Sequence, residues 1–407
     1  MSLGCPKNLV DSEVMLGLLQ ERGWSLSSSG EAEVVIVNTC GFIREAKEES
    51  IEAILSAASD KKQGKVGKVV VAGCLPQRYG KELVSELPEV DLFVGTGEFH
   101  RIADLLQSPP KAGSGGKTQI GPPEFLYDHR TPRIDTSLPG STYLKVSEGC
   151  ANFCSYCVIP SLRGRLRSRS IASIVQEARQ AVSRGVREIN LIAQDITSYG
   201  GDRKDGASLV RLLKGLVKVE GLRWIRLLYA HPARVTPELI GLLREEEKIC
   251  KYLDLPLQHV DEGILKAMNR PSPEQPLPDF IARIREEVPG IVLRTSLIVG
   301  FPGETEKAFR RLEEFVREAR FDRLGAFPYS REEGTPAASL RGQVPERVKR
   351  ERLRRIMALQ KKISRQKQEA LVGSRVAVLV ERPGAAGRPG APRSAGRGPG
   401  WRSPGPP

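Results

Sequence analysis

Three cysteines in one short run have the spacing of an iron-sulfur ligand set. Cys150, Cys154 and Cys157 follow a C-x3-C-x2-C pattern, and thiolates so spaced can bind three irons of one cuboidal 4Fe-4S cluster. The fourth iron is then left without a protein ligand. Structural zinc is the alternative, but it needs a further Cys or His, and none follows Cys157 before His231.

An iron without a side-chain ligand is a site for a small molecule. It can hold S-adenosylmethionine through the amino and carboxylate groups of that molecule, and the cysteine spacing is that of the radical S-adenosylmethionine enzymes. Radical chemistry suits an unactivated C–H bond, because that bond has no acidic proton for a general base to remove. The protein then has to exclude water and position atoms around the cofactor.

Three further cysteines stand at the ends of predicted elements nearer the start of the chain. The β-branched runs Glu33–Cys40 and Lys68–Cys74 predict buried parallel strands that each end in a cysteine. The third of these cysteines, Cys5, precedes a helix that is predicted to begin near Asp11. Because ligands bind outside the carboxyl ends of parallel strands, one rim should gather all three thiols, although buried, inert thiols are the alternative. The sequence thus predicts a second cluster site made of Cys5, Cys40 and Cys74.

The same segment should form an open parallel α/β sheet domain. A third strand at Asp91–Gly95 and a helix from about Phe99 to Leu106 complete it. Only four residues precede Cys5, too few for a strand that would deliver it to the rim. We therefore expect a further strand ahead of Met1.

The elements that must position the Cys150–Cys157 loop alternate between strand-like and helical patterns from Thr142 onward. Amphipathic helices, such as Ile171–Ser183 and Glu306–Glu318, separate the strands. This alternation predicts a central partial (βα)6 barrel, in which chemistry gathers at the carboxyl ends of the strands. The six predicted strands are Thr142–Val146, Glu188–Ala193, Trp224–Leu228, Tyr252–Leu255, Val292–Val299 and Arg323–Phe327.

Polar residues and glycines near these strand ends are candidates for a cofactor pocket. Gln194 and Asp195 offer acceptors for an ammonium group. Gly300 and Gly303 allow backbone to approach a ligand, and Tyr156 can pack on an adenine ring. A turn or a packing role is the alternative for each. The predicted S-adenosylmethionine-binding set is Tyr156, Gln194, Asp195, Gln258, Gly300 and Gly303.

Four other barrel residues carry separate expectations. Arg163 and Arg165 follow the cysteine loop, where a guanidinium can bind a carboxylate of the cofactor or an anionic substrate. His259 is as compatible with a satisfied structural histidine as with a site residue. Cys250, apart from the other six cysteines, is predicted to be a core thiol.

Composition bounds the class of protein. The chain has 407 residues, of which 40% are hydrophobic, and this predicts two to three packed domains. Seven cysteines, no secretory signal and no apolar run of about 18 residues favour reduced, metal-binding thiols in the cytoplasm and no membrane contact. The net charge of +14 suits an anionic partner but is equally compatible with a solvated surface.

Changes in pattern set the predicted domain boundaries. Residues 108–123 lack periodicity and indicate a flexible linker. The strongly basic helical stretch from Val344 to about Leu371 is a candidate RNA contact, with a solvated helix as the alternative. The predicted parts are a cluster domain at 1–107, a linker at 108–135, the partial barrel at 136–340, the basic helix at 341–371, a β-barrel remnant at 372–381 and a disordered Pro/Gly/Arg tail at 382–407.

Seven motifs together resemble the methylthiotransferases, a radical S-adenosylmethionine family with two 4Fe-4S clusters. The resemblance runs from Met1 to about Glu381 and is strongest to the branch that modifies an aspartate of protein twelve of the small ribosomal subunit. The transfer-RNA branch usually carries a different pair where this chain has Pro6-Lys7. The motifs are Ser2–Asn8, Asn38–Phe42, Val71–Cys74, Ser147–Cys150, Leu191–Asp195, Leu255–His259 and Ile298–Glu304.

The resemblance implies a two-stage reaction. The cluster at residues 150–157 would donate an electron to S-adenosylmethionine, giving a 5′-deoxyadenosyl radical that takes a hydrogen from the β-carbon of the target aspartate. The auxiliary cluster of the first domain would carry or relay the sulfur and methyl groups, and a second S-adenosylmethionine would supply the methyl. Flavodoxin or ferredoxin would be the electron donor. No residue is assigned as a general acid or base.

Two other functions stay open at this point: methylthiolation of an adenosine in transfer RNA, and a cluster-binding scaffold or iron-sulfur carrier without catalysis. The chain also departs from the family. Gly373–Glu381 resembles the opening strand of the small, TRAM-like β-barrel that ends the family and usually docks the substrate, but no alternating apolar pattern continues after it. A frameshift or truncation is our hypothesis for this departure.

Overall fold

The computed structural model describes residues 1–27, 31–107 and 117–381. The predicted tail at 382–407 and most of the predicted 108–123 linker lie outside the described residues. Two parallel sheets, each flanked by helices, organise the described chain, as the α/β fold class predicts.

The first sheet has four parallel strands in the order β1-β2-β3-β4. Its buried β2 and β3 are apolar because helices cover the sheet, which is why their sequences run as continuous hydrophobic stretches. The strands are β1 (Ala32–Thr39), β2 (Val66–Gly73), β3 (Leu92–Val94) and β4 (Thr118–Gln119). The helices of this domain are α1 (Pro6–Glu21), α2 (Arg44–Lys62), α3 (Cys74–Glu86) and α4 (Ile102–Gln107).

Three details differ from the sequence prediction. Helix α1 begins at Pro6, not near Asp11, because proline suits the first helical position and its missing N–H costs nothing there. Residues 1–3 run beside β1, with the Leu3 amide donating to the Asn38 carbonyl at 2.9 Å. Strand β4 lies inside the segment predicted as a linker, paired with β3.

The second sheet confirms the six strands predicted from residue 142 onward. They are all parallel and lie in the order β12-β11-β10-β9-β8-β5. Within the described residues the outer strands β5 and β12 do not pair with each other, so the barrel is open, as a partial barrel should be. The strands are β5 (Ser141–Lys145), β8 (Glu188–Ile192), β9 (Trp224–Leu227), β10 (Ile249–Gln258), β11 (Val292–Val299) and β12 (Arg323–Pro328).

Helices follow each of these strands and bury one face against the sheet. Helix α11 shows why: Phe309, Leu312, Phe315 and Val316 recur at helical spacing and are buried. A short antiparallel pair, β6 (Ser147–Glu148) with β7 (Arg167–Ser168), was not predicted and brackets the cysteine loop. The helices are α5 (Ile159–Arg163), α6 (Ile171–Ser183), α7 (Leu209–Leu216), α8 (Pro237–Glu245), α9 (Glu262–Ala267), α10 (Leu277–Glu287), α11 (Glu306–Ala319) and α12 (Glu346–Glu369).

The basic helix α12 is docked on the barrel and not fully solvated. Its buried face is set by residues at positions 349, 352, 356, 360 and 363. Arg352 pairs with Glu304 at 2.9 Å, and Gln360 donates to the Phe321 carbonyl at 2.8 Å. None of the described residues 374–381 forms a ladder, so the predicted opening strand of a β-barrel is absent from this part of the chain. A strand needs a partner for its backbone groups, and the described chain offers none here.

No helix in the described part of the chain is both long enough and apolar enough to cross a membrane.

Candidate functional site

The central cysteine loop joins β6 to α5 at the carboxyl end of β5. Cys154 is buried, while Cys150 and Cys157 are half-buried, and all three thiols are free of disulfides. Backbone amides point at two of the sulfurs: those of Asn152 and Ile159 lie 3.5 Å from the sulfurs of Cys150 and Cys157. Burial raises the pKa of Cys157 to about 12, and the Ile159 amide opposes that rise. Such donors suit a sulfur that carries negative charge when it binds metal.

The barrel holds this loop in place. The Ser155 amide donates to the Met268 carbonyl at 2.9 Å, and its hydroxyl donates to the Ala267 carbonyl at 2.7 Å. On the other side, Asn152 donates to Asp195 at 2.9 Å. The three thiols are therefore held by one short loop, which the end of α9 supports on one side and Asp195, after β8, on the other.

The second set of thiols gathers on the rim of the first sheet, as predicted. Cys5 precedes α1, Cys40 follows β1, and Cys74 opens α3. The backbone around Cys5 is close to Cys40, since a Cβ placed on Gly4 would lie 3.2 Å from the Cys40 sulfur. Burial raises the pKa of Cys40 to about 12, and the nearby thiols of Cys74 and Cys5 raise it further.

Neither set is arranged as a single-ion site. Across the described residues, no group of three or more His, Cys, Asp or Glu side chains is placed to hold one metal ion. A zinc site draws four ligands round one ion, whereas each thiolate of a cuboidal cluster binds a different iron. Within each set, the thiols lie near enough to influence one another's pKa.

A direct packing contact joins the neighbourhoods of the two sets of thiols. Val158, next to Cys157, packs with Leu162 against Cys74 in a small apolar cluster. The Thr96 hydroxyl also donates to the Leu162 carbonyl across the same junction. The carboxyl rim of the first sheet therefore lies against the mouth of the barrel.

A buried network of charges connects the two sets. Lys145 lies 2.5 Å from Asp11 and 2.6 Å from Glu148, and Arg163 lies 2.5 Å from Asp11. The second Arg163 nitrogen donates to Asn8 and approaches the Cys74 sulfur at 3.4 Å. Two cations meet two carboxylates here, all buried, so the network is electrically balanced.

This network changes the interpretation of the two arginines after the cysteine loop. Arg163, expected to bind a carboxylate of cofactor or substrate, binds the protein's own Asp11 and Glu148 instead. Arg165 is exposed. Sequence patterns did not single out Asn8, Asp11, Lys145 or Glu148 as members of a network. Two of them stand close to recognisable features, because Asn8 lies in the first motif and Glu148 precedes the cysteine loop by two positions.

The predicted ammonium acceptors at the end of β8 differ in their environment. Asp195 accepts from five donors, which include Asn152, Ser198 and Arg234, and thus serves as an anchor for the loops around it. Gln194 donates to Glu148, while its carbonyl oxygen is buried without a hydrogen-bond partner in the described chain. Gln194 is therefore the acceptor still open to a ligand.

The other predicted cofactor residues lie around the same mouth. Tyr156 stacks edge-on against Phe301 at 6.5 Å, and Gln258 ends β10 with a positive φ of 71°. A Cβ on Gly300 would lie 2.4 Å from the Lys349 side chain, so its close neighbour is α12. Gly303 has a φ of 84° and open space beside it, where a ligand can approach the backbone.

Two histidines and one cysteine of the barrel lie in buried or half-buried environments within the protein. His259 is fully buried, accepts from the Asp261 amide at 2.9 Å and lies 3.6 Å from Glu304. His231 is also buried, and burial, then Arg270 and Arg234, lower its pKa to about 3. Cys250, expected to be a core thiol, is half-buried on β10, and burial raises its pKa to about 11.

Arg270 is a site residue that the sequence did not indicate. It is buried, donates to the Pro256 carbonyl, and approaches the Cys154 sulfur at 3.7 Å. No signal in the sequence separates it from the other arginines, because α9 lies between it and the strand that it touches.

Comparison with known proteins defines the class. A family model described as "Uncharacterized protein family UPF0004" matches residues 1–95, and one described as "Radical SAM superfamily" matches residues 144–316. The radical S-adenosylmethionine methyltransferase TsrM from Kitasatospora setae has a similar fold, with a TM-score of 0.60 and 16% identity over 82% of this chain and 74% of TsrM. The second sheet with its cysteine loop is thus a radical S-adenosylmethionine domain.

Curated relatives define the family more narrowly. A ribosomal protein uS12 methylthiotransferase RimO from Geotalea uraniireducens is 55% identical over 94% of this chain and 85% of the relative. The one from Heliobacterium modesticaldum is 50% identical over 93% of this chain and 82% of the relative. The chain belongs to this family, the RimO methylthiotransferases, which confirms the resemblance found in the motifs.

Proposed function

We propose that this chain attaches a methylthio group to the β-carbon of an aspartate in ribosomal protein uS12, using two 4Fe-4S clusters and S-adenosylmethionine. The names of relatives at 50% and 55% identity support the substrate and favour it over transfer RNA. The observation that carries the proposal is the contact between the two sets of thiols through Val158 and Cys74. Sulfur transfer to a carbon radical requires the sulfur source and the radical source to share one space.

The donor sets fit the two clusters. Each set offers three free thiols, and a cuboidal cluster held by three thiolates keeps one iron without a protein ligand. When bound, the clusters and S-adenosylmethionine supply the one-electron chemistry that opens an unactivated C–H bond, and the sulfur that replaces its hydrogen. The metal-binding residues in this proposal are Cys5, Cys40 and Cys74 for one cluster and Cys150, Cys154 and Cys157 for the other.

The chain's own residues orient the cofactor. The open carbonyl oxygen of Gln194 would accept from an N–H of the amino group of S-adenosylmethionine, while Glu148 fixes the other end of the Gln194 amide. Tyr156 with Phe301 provides an apolar wall for the adenine ring, and the backbone at Gly303 approaches the nucleoside. Asp195 acts indirectly, because it accepts from Asn152 of the cysteine loop and so helps to hold that loop in place.

The chain also excludes water from the shared space. Lys47 and Arg78 of the first domain pair with Glu332 of the barrel at 2.8 and 2.7 Å. Glu332 is only 3% exposed on its side chain, so this clasp, Lys47–Arg78–Glu332, closes the rim. A reactive carbon radical is protected when solvent and stray hydrogen donors cannot reach it.

Contacts with the translation machinery fit the exposed side of α12. Arg347, Arg354, Lys361 and Lys362 are exposed there and form no ion pair in the described residues. Such a row of cations suits the phosphates of ribosomal RNA around uS12. A ribosomal substrate implies work in the cytoplasm, with flavodoxin or ferredoxin as the electron donor.

Anaerobic reconstitution tests the proposal. The chain would be loaded with iron and sulfide, reduced, and incubated with S-adenosylmethionine and purified uS12, and the products followed by mass spectrometry. A methylthio group on one aspartate of uS12 supports the proposal. Methylthiolation of transfer RNA but not of uS12, or cluster binding without cleavage of S-adenosylmethionine, would contradict it.

A further inference from the structure

Each set of thiols has one buried guanidinium directed at one of its sulfurs. Arg163 approaches the Cys74 sulfur at 3.4 Å, and Arg270 approaches the Cys154 sulfur at 3.7 Å. Both arginines are buried, with relative exposures of 2% and 8%. Neither is needed as a cluster ligand, and neither contacts the predicted ammonium acceptor Gln194.

The two arginines differ in how their charge is balanced. Arg163 belongs to the neutral network with Asp11, Lys145 and Glu148. Arg270 has no carboxylate oxygen within ion-pair distance among the described residues; it donates to a backbone carbonyl, and its Nε is buried without a partner. The Cys154 sulfur thus faces a guanidinium without a contacting carboxylate among the described residues, whereas the Cys74 sulfur faces one that is paired with Asp11 and Glu148.

Charge and hydrogen bonds at a cluster sulfur set its reduction potential. An N–H donor or a nearby cation stabilises the reduced, more negative cluster and raises the potential. Low dielectric around a buried group strengthens this effect. A guanidinium within hydrogen-bonding reach of one ligand sulfur therefore acts on one cluster far more than on the other.

We propose that Arg163 and Arg270 are positioning residues that set the reduction potentials of the two clusters separately: Arg163 for the cluster on Cys5, Cys40 and Cys74, and Arg270 for the cluster on Cys150, Cys154 and Cys157. The inference rests on the two-cluster part of the proposed function. At a given solution potential, these two side chains would then determine which of the two clusters accepts an electron.

A redox titration of the reconstituted chain tests this. Dithionite would deliver one electron to each cluster while EPR spectra report the reduced fraction, and the central cluster is identified by the change in its signal when S-adenosylmethionine is added. In Arg270→Met, the potential of the central cluster should fall while that of the other cluster stays. In Arg163→Met, the pattern should reverse.

Unfolding is a separate risk for the Arg163→Met variant, because without Arg163 the two carboxylates Asp11 and Glu148 share a single cation, Lys145. The double variant Asp11→Asn with Arg163→Met keeps the network neutral and should lower the same potential by a smaller amount. Arg244→Met, which removes an exposed guanidinium, is the control and should move neither potential.

Unchanged potentials in the variants that bind both clusters, or equal shifts of both clusters in each variant, would overturn the inference. Failure of the proposed function gives a different result: wild-type chain with iron for fewer than two clusters, or no response of any EPR signal to S-adenosylmethionine. The two failures are therefore distinguishable in one set of samples.

Discussion

The two sets of thiols are built in opposite ways. The central set comes from a single loop of eight positions, Cys150 to Cys157, between β6 and α5. The N-terminal set takes one cysteine from each of three places, at the start of α1, the end of β1 and the start of α3. A local set survives small movements of the fold, whereas a dispersed set exists only when the elements that carry it are assembled.

The largest expected effect separates the roles of the two sets. Cys154→Ala should abolish cleavage of S-adenosylmethionine and with it all product. Cys74→Ala should abolish methylthio transfer while 5′-deoxyadenosine is still released, because the central set is intact. Iron content should fall from about eight to about four per chain in each variant. Mass spectrometry and iron analysis check this, with Cys250→Ala as a control; loss of 5′-deoxyadenosine in Cys74→Ala would contradict the division of roles.

The next largest effect is expected when the buried charge network is broken, because the two sets of thiols should then lose iron to different extents. Lys145→Met leaves Asp11 and Glu148 with one cation, and breaking a buried ion pair costs about 3–5 kcal/mol in the free energy of unfolding. The dispersed N-terminal set should lose its iron before the central set does.

Urea denaturation and iron analysis by cluster measure both effects. Lys214→Met is a matched control, since Lys214 and its partner Glu238 are exposed and the pair contributes at most about 1 kcal/mol. Equal loss of iron from both sets would show that the network does not favour the N-terminal set.

A smaller effect is expected at the proposed S-adenosylmethionine pocket beside the central set. Gln194→Met removes an open acceptor beside the cysteine loop and should raise the KM for S-adenosylmethionine about twofold to tenfold, because a hydrogen bond contributes about 0.5–1.5 kcal/mol. Steady-state kinetics measure it, and iron content should be unchanged. An unaltered KM would exclude Gln194 as the acceptor for the amino group; Gln368→Met, on the exposed side of α12, is the control.

The smallest expected effect is a pH dependence of the free energy of unfolding that arises at His231, in the barrel. Because His231 is buried with a pKa of about 3, the unfolded chain takes up a proton there below about pH 6.5 that the folded chain does not. The stability that neutral His231 contributes is full above pH 6.5 and falls by about 1.4 kcal/mol per pH unit as the pH is lowered toward 3. Urea denaturation of the wild type and His231→Asn at about pH 7, 6 and 5 measures the difference. The same pH dependence of the free energy of unfolding in both proteins would contradict the lowered pKa of His231.

The contrast between local and dispersed features also explains how far the sequence could go. The C-x3-C-x2-C loop and the six parallel strands of the barrel were predictable, because spacing and β-branched runs are local properties. The N-terminal set was predictable only by adding the rule that parallel strands end on one rim. The start of α1 was predicted about five residues too late, near Asp11 instead of Pro6, because the suitability of proline for the first helical position was not considered.

Contacts between distant segments were not predictable. Asp11 and Lys145 are 134 positions apart, and nothing in either local pattern indicates that they pair. Arg270 approaches Cys154 from behind α9, and Arg163 was matched to a ligand when its partners belong to the protein. Long charged side chains find their partners through the assembled fold, so their roles follow from tertiary structure and not from spacing.

The Lys47–Arg78–Glu332 clasp has a consequence for the order of events during synthesis. Lys47 and Glu332 are 285 positions apart, and a chain that grows by about 5–20 residues per second needs on the order of tens of seconds to add that length. The nascent first domain therefore waits with its three thiols uncovered until the last barrel strand emerges. We expect these thiols to be most accessible to iron and sulfide during that interval, and a mutation that slows barrel folding would lengthen it.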